Sequence, residues 1–101
     1  MNNIQNLDKI LFSKVRLSIM SYLFFNGKTD FKTLLNFTQT TKGNLSSNLQ
    51  KLKKHNMIQI IKTYENKRSY TIIKPTNTGL KAFEEYRKYL LALLTNNPKP
   101  E

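Results

Sequence analysis

Apolar residues recur every three or four positions through the first half of the chain, with polar helix-start and helix-stop signals between the repeats. This spacing places them on one side of a helix. Ser13 is a favourable N-cap for the second apolar segment, Gly27 stops that segment, and Asp30 offers a cap for the third. The pattern predicts helices over residues 4–12, 14–25, 30–37 and 41–55.

The fourth predicted helix has two contrasting faces. Leu45, Leu49 and Leu52 lie on one side, and the opposite side carries small, amide and basic residues without an acid. A solvent-facing helix usually mixes both charge signs, because each Glu–Lys pair one turn apart adds a little stability. A face of this composition suits close approach to an anionic backbone and hydrogen bonding to base edges. An ordinary polar face in a lysine-rich protein is the alternative.

After Asn56 the apolar spacing changes from three or four residues to two. The alternation predicts strands over residues 58–63 and 69–74, joined by a basic turn, and hence a β-hairpin. Tyr64 and Tyr70 flank this turn, and a cross-strand aromatic pair is a more common role for such residues than stacking on bases. A last helix is predicted over residues 77–95, capped by Thr76 or Thr78, followed by a frayed tail at residues 97–101.

Composition narrows the function. The 101 residues predict one domain, which we place at residues 1–96, and 17 Lys and Arg against 6 Asp and Glu leave a net charge of +11. This charge favours a polyanionic partner, either nucleic acid or an anionic membrane surface. The longest apolar runs are far shorter than the roughly 18 residues of a membrane span, so we expect no membrane insertion and a cytoplasmic location.

Catalytic and cofactor chemistry have little support in the sequence. The chain has no Cys, and the lone His55 cannot form a conventional metal site by itself. Glu84 and Glu85 are adjacent on a predicted helix, so their side chains diverge by about 100° and are better interpreted as solvated. No glycine-rich phosphate loop is present. We expect neither enzymatic activity nor a cofactor or metal.

The order helix, helix, turn, helix, hairpin, helix is that of a winged helix-turn-helix. The segments at 15–20, 30–34, 41–49 and 76–79 also resemble small winged-helix regulators of the MarR/ArsR-like group, and the resemblance spans roughly residues 8–94. The chain departs from that group's pattern at Lys42, Asn48, Asn56 and Pro75. The predicted fold is α+β, mainly α, with a two-stranded β wing and N- and C-terminal dimerisation helices. The resemblance implies a homodimer, a DNA-reading helix at residues 41–54 and a wing around residues 65–69.

These observations predict a homodimeric, sequence-specific regulator that binds double-stranded DNA and represses transcription from a palindromic operator. The alternative is a winged-helix module that binds protein or RNA without operator specificity. The sequence does not identify a small-molecule effector. The residues predicted to contact DNA are Thr41, Lys42, Gly43, Asn44, Ser46, Ser47, Asn48, Gln50, Lys51, Lys54, Lys67 and Arg68. The last helix is apolar over nearly half of its circumference, which favours packing on a second chain; a long amphipathic tail folded back on its own domain is the alternative. The residues predicted to form the dimer interface are Ile4, Leu7, Leu11, Phe83, Tyr86, Leu90, Leu93 and Leu94.

Overall fold

Helices dominate the structure, a computed structural model that describes residues 4–95. The predicted frayed tail lies outside the described residues. Within them, the elements follow the predicted order, with one additional short strand between the second and third helices. The elements are α1 (Ile4–Leu11), α2 (Lys14–Asn26), β1 (Thr29–Asp30), α3 (Phe31–Thr38), α4 (Lys42–Lys54), β2 (Ile58–Glu65), β3 (Arg68–Pro75) and α5 (Asn77–Leu94).

Four of the helices begin at polar residues that cap their first turn. Ser13, Asp30, Thr41 and Thr76 each accept a hydrogen bond from the backbone N–H three residues further on. Such a bond satisfies one of the N–H groups that a helix start leaves without a partner. At the other end, α2 stops at Gly27 with a φ of 83°. The predicted N-caps at Ser13, Asp30 and Thr76 are therefore confirmed.

The hydrophobic core lies where the helices meet the inner face of the sheet. Every helix and the hairpin place side chains in it, and α1 packs along α5. At that contact the Tyr86 hydroxyl donates a hydrogen bond to the Asp8 carboxylate. Burial is the largest cause that raises the pKa of the Tyr86 phenol well above its ordinary value, and the hydrogen bond to Asp8 is the second, so the phenol stays protonated. The fully buried side chains are Leu11, Ile19, Met20, Leu23, Leu34, Leu45, Leu52, Ile73 and Tyr86.

The sheet has three antiparallel strands in the order β1-β3-β2, one more than the sequence pattern predicted. In β1, Thr29 pairs with Ile73 and Asp30 pairs with Ile72. Two residues are too few to show the alternation of a strand. Asp30 is also the N-cap of α3, and the sequence at this position indicates only the helix cap and not the strand. The predicted class, mainly helical with a β wing, is confirmed.

The hairpin is longer and its turn tighter than predicted. Asn66 and Lys67, with φ of 51° and 62°, form a two-residue turn in which both residues are left-handed. Because Lys67 is not a glycine, the usual Asn-Gly signal of such a turn is missing from the sequence. Tyr64 pairs with Ser69 and Tyr70 with Thr63, so the two tyrosines lie on opposite faces of the hairpin. The predicted aromatic pair is therefore wrong.

The start of α5 lies against the backbone that follows α4. The Thr76 N–H donates to the Met57 carbonyl oxygen at 3.1 Å, and the Thr76 hydroxyl donates to the Asn56 carbonyl oxygen at 2.6 Å. A Cβ atom on Gly79 would overlap that Met57 carbonyl group. This close approach fixes the end of α4 relative to α5. No helix between residues 4 and 95 combines the length and apolar character needed to cross a membrane.

Candidate nucleic-acid interface

Helix α4 presents a polar, basic face outward. Leu45, Leu49 and Leu52 are buried, so the predicted inner face is confirmed. At its first turn, Thr41 accepts a hydrogen bond from the Asn44 N–H at 3.1 Å. The exposed residues on or at the start of the helix are Thr41, Lys42, Gly43, Asn44, Ser46, Ser47, Gln50, Lys51, Lys53 and Lys54. All of the predicted DNA contacts on this helix are accessible except one.

The exception is Asn48, which is buried, with 7% of its surface exposed. It lies three residues after Leu45 and four before Leu52, so helical geometry places it among the leucines of the inner face. Its side-chain oxygen accepts a hydrogen bond from Arg16, and its side-chain nitrogen donates to Asn44. The prediction that Asn48 contacts DNA directly is therefore wrong for this structure. The helical periodicity that singled out the outer face already placed Asn48 inside.

The base of the wing lies beside the middle of α4. Ser46 and Gln50 of α4 line a cleft of about 110 Å³ together with Lys62 of β2. Lys62 pairs with Thr71 and lies on the same strand face as the partly buried Ile60. Lys62 was not among the DNA contacts predicted from the sequence. The signal was present in the alternation of residues 58, 60 and 62, which carries Lys62 onto the face that meets α4.

The two predicted wing contacts lie in different places. Lys67 is exposed in the turn at the tip of the hairpin. Arg68 stands opposite Glu65 in the strand register, and it lines a separate cleft with Asp30 and Lys32. A carboxylate directly across the strands reduces the net positive charge that Arg68 offers. Lys67 and Lys62 are therefore the stronger candidates for contact with an anion.

Charge is distributed unevenly between α4 and α5. Among residues 4–95, the salt bridges join Glu84 to Arg87 at 3.4 Å and to Lys88 at 3.7 Å, both on α5. The lysines of α4 have no carboxylate of the described residues within 4.0 Å. Lys51, Lys53 and Lys54 fall in the last turn, where the negative end of the helix dipole favours cations. The α4 surface therefore carries positive charge that no carboxylate of the described residues neutralises by an ion pair.

The predicted dimer residues divide between the interior and the surface. Leu7, Leu11, Phe83 and Tyr86 are buried within the chain itself, so a partner chain cannot reach them in this structure. The other four have different environments. Ile4 and Leu90 are half-buried, whereas Leu93 and Leu94 are 58% and 80% exposed.

The exposed leucines continue into an apolar groove between α2 and α5. Leu91, which was not among the predicted interface residues, is 46% exposed and lines this groove of about 240 Å³ together with Leu94. Phe25 lies on the α2 side, and the Arg87 guanidinium sits 5.8 Å from the centre of its ring. The described part of the chain thus has a second, apolar surface away from the basic face of α4.

Helices α2, α3 and α4 pack together, α4 presents its polar face outward, and the hairpin lies beside α4. This arrangement is a winged helix-turn-helix. Residues 15–94 match the family of winged helix DNA-binding domains, and the chain belongs to this family. The predicted winged-helix family is confirmed, and the description of that family is a DNA-binding domain.

Similar proteins share both the length and the fold. An uncharacterized protein of Methanocaldococcus jannaschii is 35% identical over 88 residues, which are 87% of this chain and 96% of that protein. The structure of a transcriptional regulator homologue from Pyrococcus horikoshii has a TM-score of 0.83 at 24% identity, over 95% of this chain and 97% of that one. A transcriptional regulator of the MarR family from Enterococcus faecalis has a TM-score of 0.80 at 18% identity, over 92% and 84%. These two structural similarities establish the fold.

Proposed function

We propose that the protein is a homodimeric, sequence-specific transcriptional regulator that represses by occupying a palindromic operator in duplex DNA. The observation that carries the proposal is the outer face of α4, which is exposed, free of acids and rich in small and amide side chains. Membership of the DNA-binding family supports duplex DNA as the polyanion. The three buried leucines behind this face anchor the helix on the core of the domain.

Within this surface, residues 41–50 are suited to base recognition. A recognition helix that lies in the major groove contacts base edges mainly through its first turns. Asn44 and Gln50 are exposed and carry amides, which can pair with adenine through two hydrogen bonds. Gly43 has open space around it, so the backbone at this position can approach the duplex closely. Thr41, Ser46 and Ser47 add small hydroxyl donors along the same face.

The basic residues supply affinity rather than specificity. Lys42, Lys51, Lys54, Lys67 and Arg68 are exposed, and contacts by three or four of them per subunit would neutralise about six to eight phosphates in a dimer. The logarithm of the binding constant should then fall against the logarithm of salt concentration with a slope near −5 to −7. A slope shallower than about −2 would favour the alternative of a protein-binding module.

Dimerisation is assigned to the apolar end of α5. Leu91, Leu93 and Leu94 expose large apolar surface beside the groove between α2 and α5, a feature that commonly marks a protein interface. A second copy that buried the same patch would form a twofold-symmetric dimer. Two symmetry-related recognition helices then require a palindromic operator.

The dimer is tested by placing a charge in this patch. Leu94→Asp removes an exposed side chain, so it should leave the fold intact but bury an unpaired charge in the dimer, and sedimentation at micromolar concentration should show monomer. Thr78→Asp introduces the same charge at an exposed position at the other end of α5 and should leave the dimer unchanged. A wild-type protein that sediments only as a monomer would refute dimerisation.

The DNA surface is tested by comparing two kinds of substitution on two duplexes. A preferred duplex is selected from a random pool, and affinities for it and for a scrambled duplex are measured at two salt concentrations. Asn44→Ala or Gln50→Ala should weaken binding to the preferred duplex by about 1–3 kcal/mol and leave the scrambled duplex nearly unaffected. Lys67→Ala should weaken both duplexes by similar factors and make the salt slope shallower.

Equal weakening of both duplexes by the α4 substitutions would show that α4 does not read sequence. If the pool yields no preferred duplex and the protein binds structured RNA more tightly than duplex DNA, the RNA-binding alternative is favoured. Either result rejects the operator-binding proposal while leaving the fold assignment unchanged.

A further inference from the structure

A chain of side-chain hydrogen bonds runs from α2 through the buried side of α4 to its exposed first turn. Arg16 Nη1 donates to Asn48 Oδ1 at 2.6 Å, Asn48 Nδ2 donates to Asn44 Oδ1 at 2.9 Å, and Asn44 Nδ2 donates to Thr40 Oγ1 at 2.7 Å. We refer to these four residues as the amide relay. Arg16 is itself held, because its Nε donates to the Ile10 carbonyl oxygen at the end of α1 at 2.5 Å.

The direction of the relay is set at its Arg16 end. A guanidinium can only donate hydrogen bonds, whereas an asparagine amide can face a neighbour with either its oxygen or its nitrogen. Asn48 must therefore turn its oxygen to Arg16 and its nitrogen to Asn44. Asn44 must in turn present its oxygen to Asn48, which leaves its nitrogen facing Thr40. The half-buried Arg16 donor, together with the Asn44 backbone carbonyl oxygen that accepts from Asn48 Nδ2 at 2.8 Å, thus fixes the orientation of an exposed amide two side chains away from Arg16.

The relay leaves Asn44 able to bind a base in one orientation. An amide oxygen has two lone pairs and an amide nitrogen two protons, and the relay uses one of each. One acceptor and one donor remain, held in fixed positions on an exposed residue of the outer face. This pair matches the N6 amino group and N7 of adenine in the major groove.

Packing alone does not account for Asn48. The residue lies on the face that Leu45, Leu49 and Leu52 use, where an apolar side chain would fill the same space without burying an amide. Arg16 is half-buried, and no carboxylate of the described residues accepts its hydrogen bonds. In some proteins a buried polar group of this kind serves to fix one specific arrangement rather than to add stability.

We propose that Arg16 and Asn48 are positioning residues that fix the orientation of the Asn44 amide and thereby set which base α4 selects at that point of the operator. The inference rests on the proposed function, since it requires that Asn44 contacts a base. Neither Arg16 nor Asn48 touches DNA in this scheme. Their effect is transmitted through the relay.

Asn48→Asp is the decisive substitution because it reverses the relay with almost no change in shape. Aspartate has only acceptors, so Asn44 must turn its nitrogen toward position 48 and its oxygen toward Thr40, whose hydroxyl can donate. The new carboxylate faces Arg16 and can pair with it, but it loses the hydrogen bond that Asn48 Nδ2 donates to the Asn44 backbone carbonyl oxygen at 2.8 Å, so the free energy of unfolding should fall modestly below that of the wild type. Discrimination between the preferred base and the others at the Asn44 position should fall by about tenfold or more.

The matched controls separate orientation from charge and from packing. Asn48→Leu fills the inner face without a relay, and it should relax the base preference at that position. Arg16→Lys keeps a donor-only group and should retain the preference, whereas Arg16→Met removes the donor and should weaken it, since the Asn44 backbone carbonyl oxygen then holds the Asn48 amide alone. Discrimination is expressed as the ratio of affinities for duplexes differing at one base pair, so a uniform loss caused by the added charge cancels.

Two results overturn the inference, and they are distinguishable from each other. If Asn44→Ala loses discrimination at one base pair but Asn48→Asp and Asn48→Leu keep it, Asn44 contacts the base and the relay does not position it. If the wild type itself shows no preferred base pair, the proposed function fails and the relay has nothing to orient. Should Arg16→Met fail to fold, the two Asn48 variants decide the question alone.

Discussion

Helices α4 and α5 are built to the same local rules but present opposite surfaces. Each begins at a threonine N-cap, at Thr41 and Thr76, and each buries one apolar face in the shared core. On α5, Glu84 forms the salt bridges of the described chain, and three leucines near its end stay exposed. On α4, lysines stand without acidic partners, and no large apolar side chain is exposed.

The difference shows what kind of partner each helix is suited to meet. An acid one turn from a lysine stabilises a helix by a few tenths of a kcal/mol, a gain that α4 forgoes and α5 takes. Forgoing it keeps the lysines of α4 available to an anion. Exposed leucines, in contrast, favour an apolar partner, such as a second copy of α5. The surface that each helix leaves uncompensated therefore indicates the chemistry of its partner.

The largest effect should come from the single glycine on each helix. Gly79→Ala places a Cβ atom against the Met57 carbonyl group, so the free energy of unfolding should fall by about 3 kcal/mol, measured by urea denaturation. In Gly43→Ala the added Cβ atom has no neighbour within 4 Å, and alanine is a better helix former than glycine. The free energy of unfolding of this variant should therefore rise by about 0.5–1 kcal/mol.

For Gly43→Ala, the effect on DNA binding should be opposite to the effect on stability. If the α4 backbone approaches the duplex at Gly43, the stabilised Gly43→Ala protein should bind operator DNA more weakly than the wild type. Unchanged affinity would show that the first turn of α4 stays away from the DNA. A Gly79→Ala protein as stable as the wild type would mean that the junction between α4 and α5 is looser than the structure describes.

Sequence pattern predicted most of the architecture because most helix boundaries have a local signal; the end of α3 at the left-handed Gln39 does not. Caps at Ser13, Asp30 and Thr76, stops at Gly27 and Asn56, and the change from helical to alternating spacing do not depend on distant residues. The parts that were missed depend on pairing across the chain. Strand β1 is defined only by its register with β3, and the wing register decides which face each tyrosine occupies.

The candidate site shows the same division. The outer face of α4 follows from helical periodicity, and the exposure of Asn44 and Gln50 agrees with it. Asn48 was misplaced because residue type was weighed over position, and an amide was assumed to face outward. The partner that explains its burial, Arg16, is 32 residues away in sequence, so no local pattern could have revealed it. Lys62 follows Ile58 and Ile60 on one strand face, but that this face lies beside α4 is a tertiary contact that the alternation does not show.

Charge reversal on the two helices should sharpen the contrast between them. Lys54→Glu removes one of the unpaired cations of α4, so the salt slope of DNA binding should become shallower by about 0.9 for each phosphate that is no longer neutralised, or about 2 per dimer. Lys88→Glu on α5 makes the same change of charge and should leave that slope unchanged. Affinities measured at several salt concentrations for one duplex provide both slopes.

Equal slopes for the two variants would mean that DNA binding responds to net charge alone and that the α4 surface has no special role. Unfolding provides the complementary check. Lys88 is 72% exposed and its distance to Glu84 is 3.7 Å, so removing this ion pair should change the free energy of unfolding by less than about 1 kcal/mol.

The smallest expected effect is a loss of stability at acidic pH. Helix α3, which packs against α4, is capped by the titratable side chain of Asp30. Hydrogen bonds from Thr33 lower the pKa of Asp30 below its ordinary value of 3.8. A depressed folded-state pKa gives stability that is fully present above the ordinary value and is lost as the pH falls through the folded one. Asp30→Ala should therefore reduce the free energy of unfolding by about 1 kcal/mol at neutral pH, with a smaller difference in acid.

Asp30→Asn is the matched variant, since asparagine caps a helix about as well as aspartate but does not titrate in this range. Its stability should equal that of the wild type at neutral pH and should fall less steeply below pH 3.8. Urea denaturation of the three proteins at about pH 7 and about pH 2.5 gives the comparison. Parallel loss of stability by wild type and Asp30→Asn would place the acid sensitivity elsewhere. The threonine caps of α4 and α5 do not titrate, so in the predicted outcome acid destabilises α3, against which α4 packs.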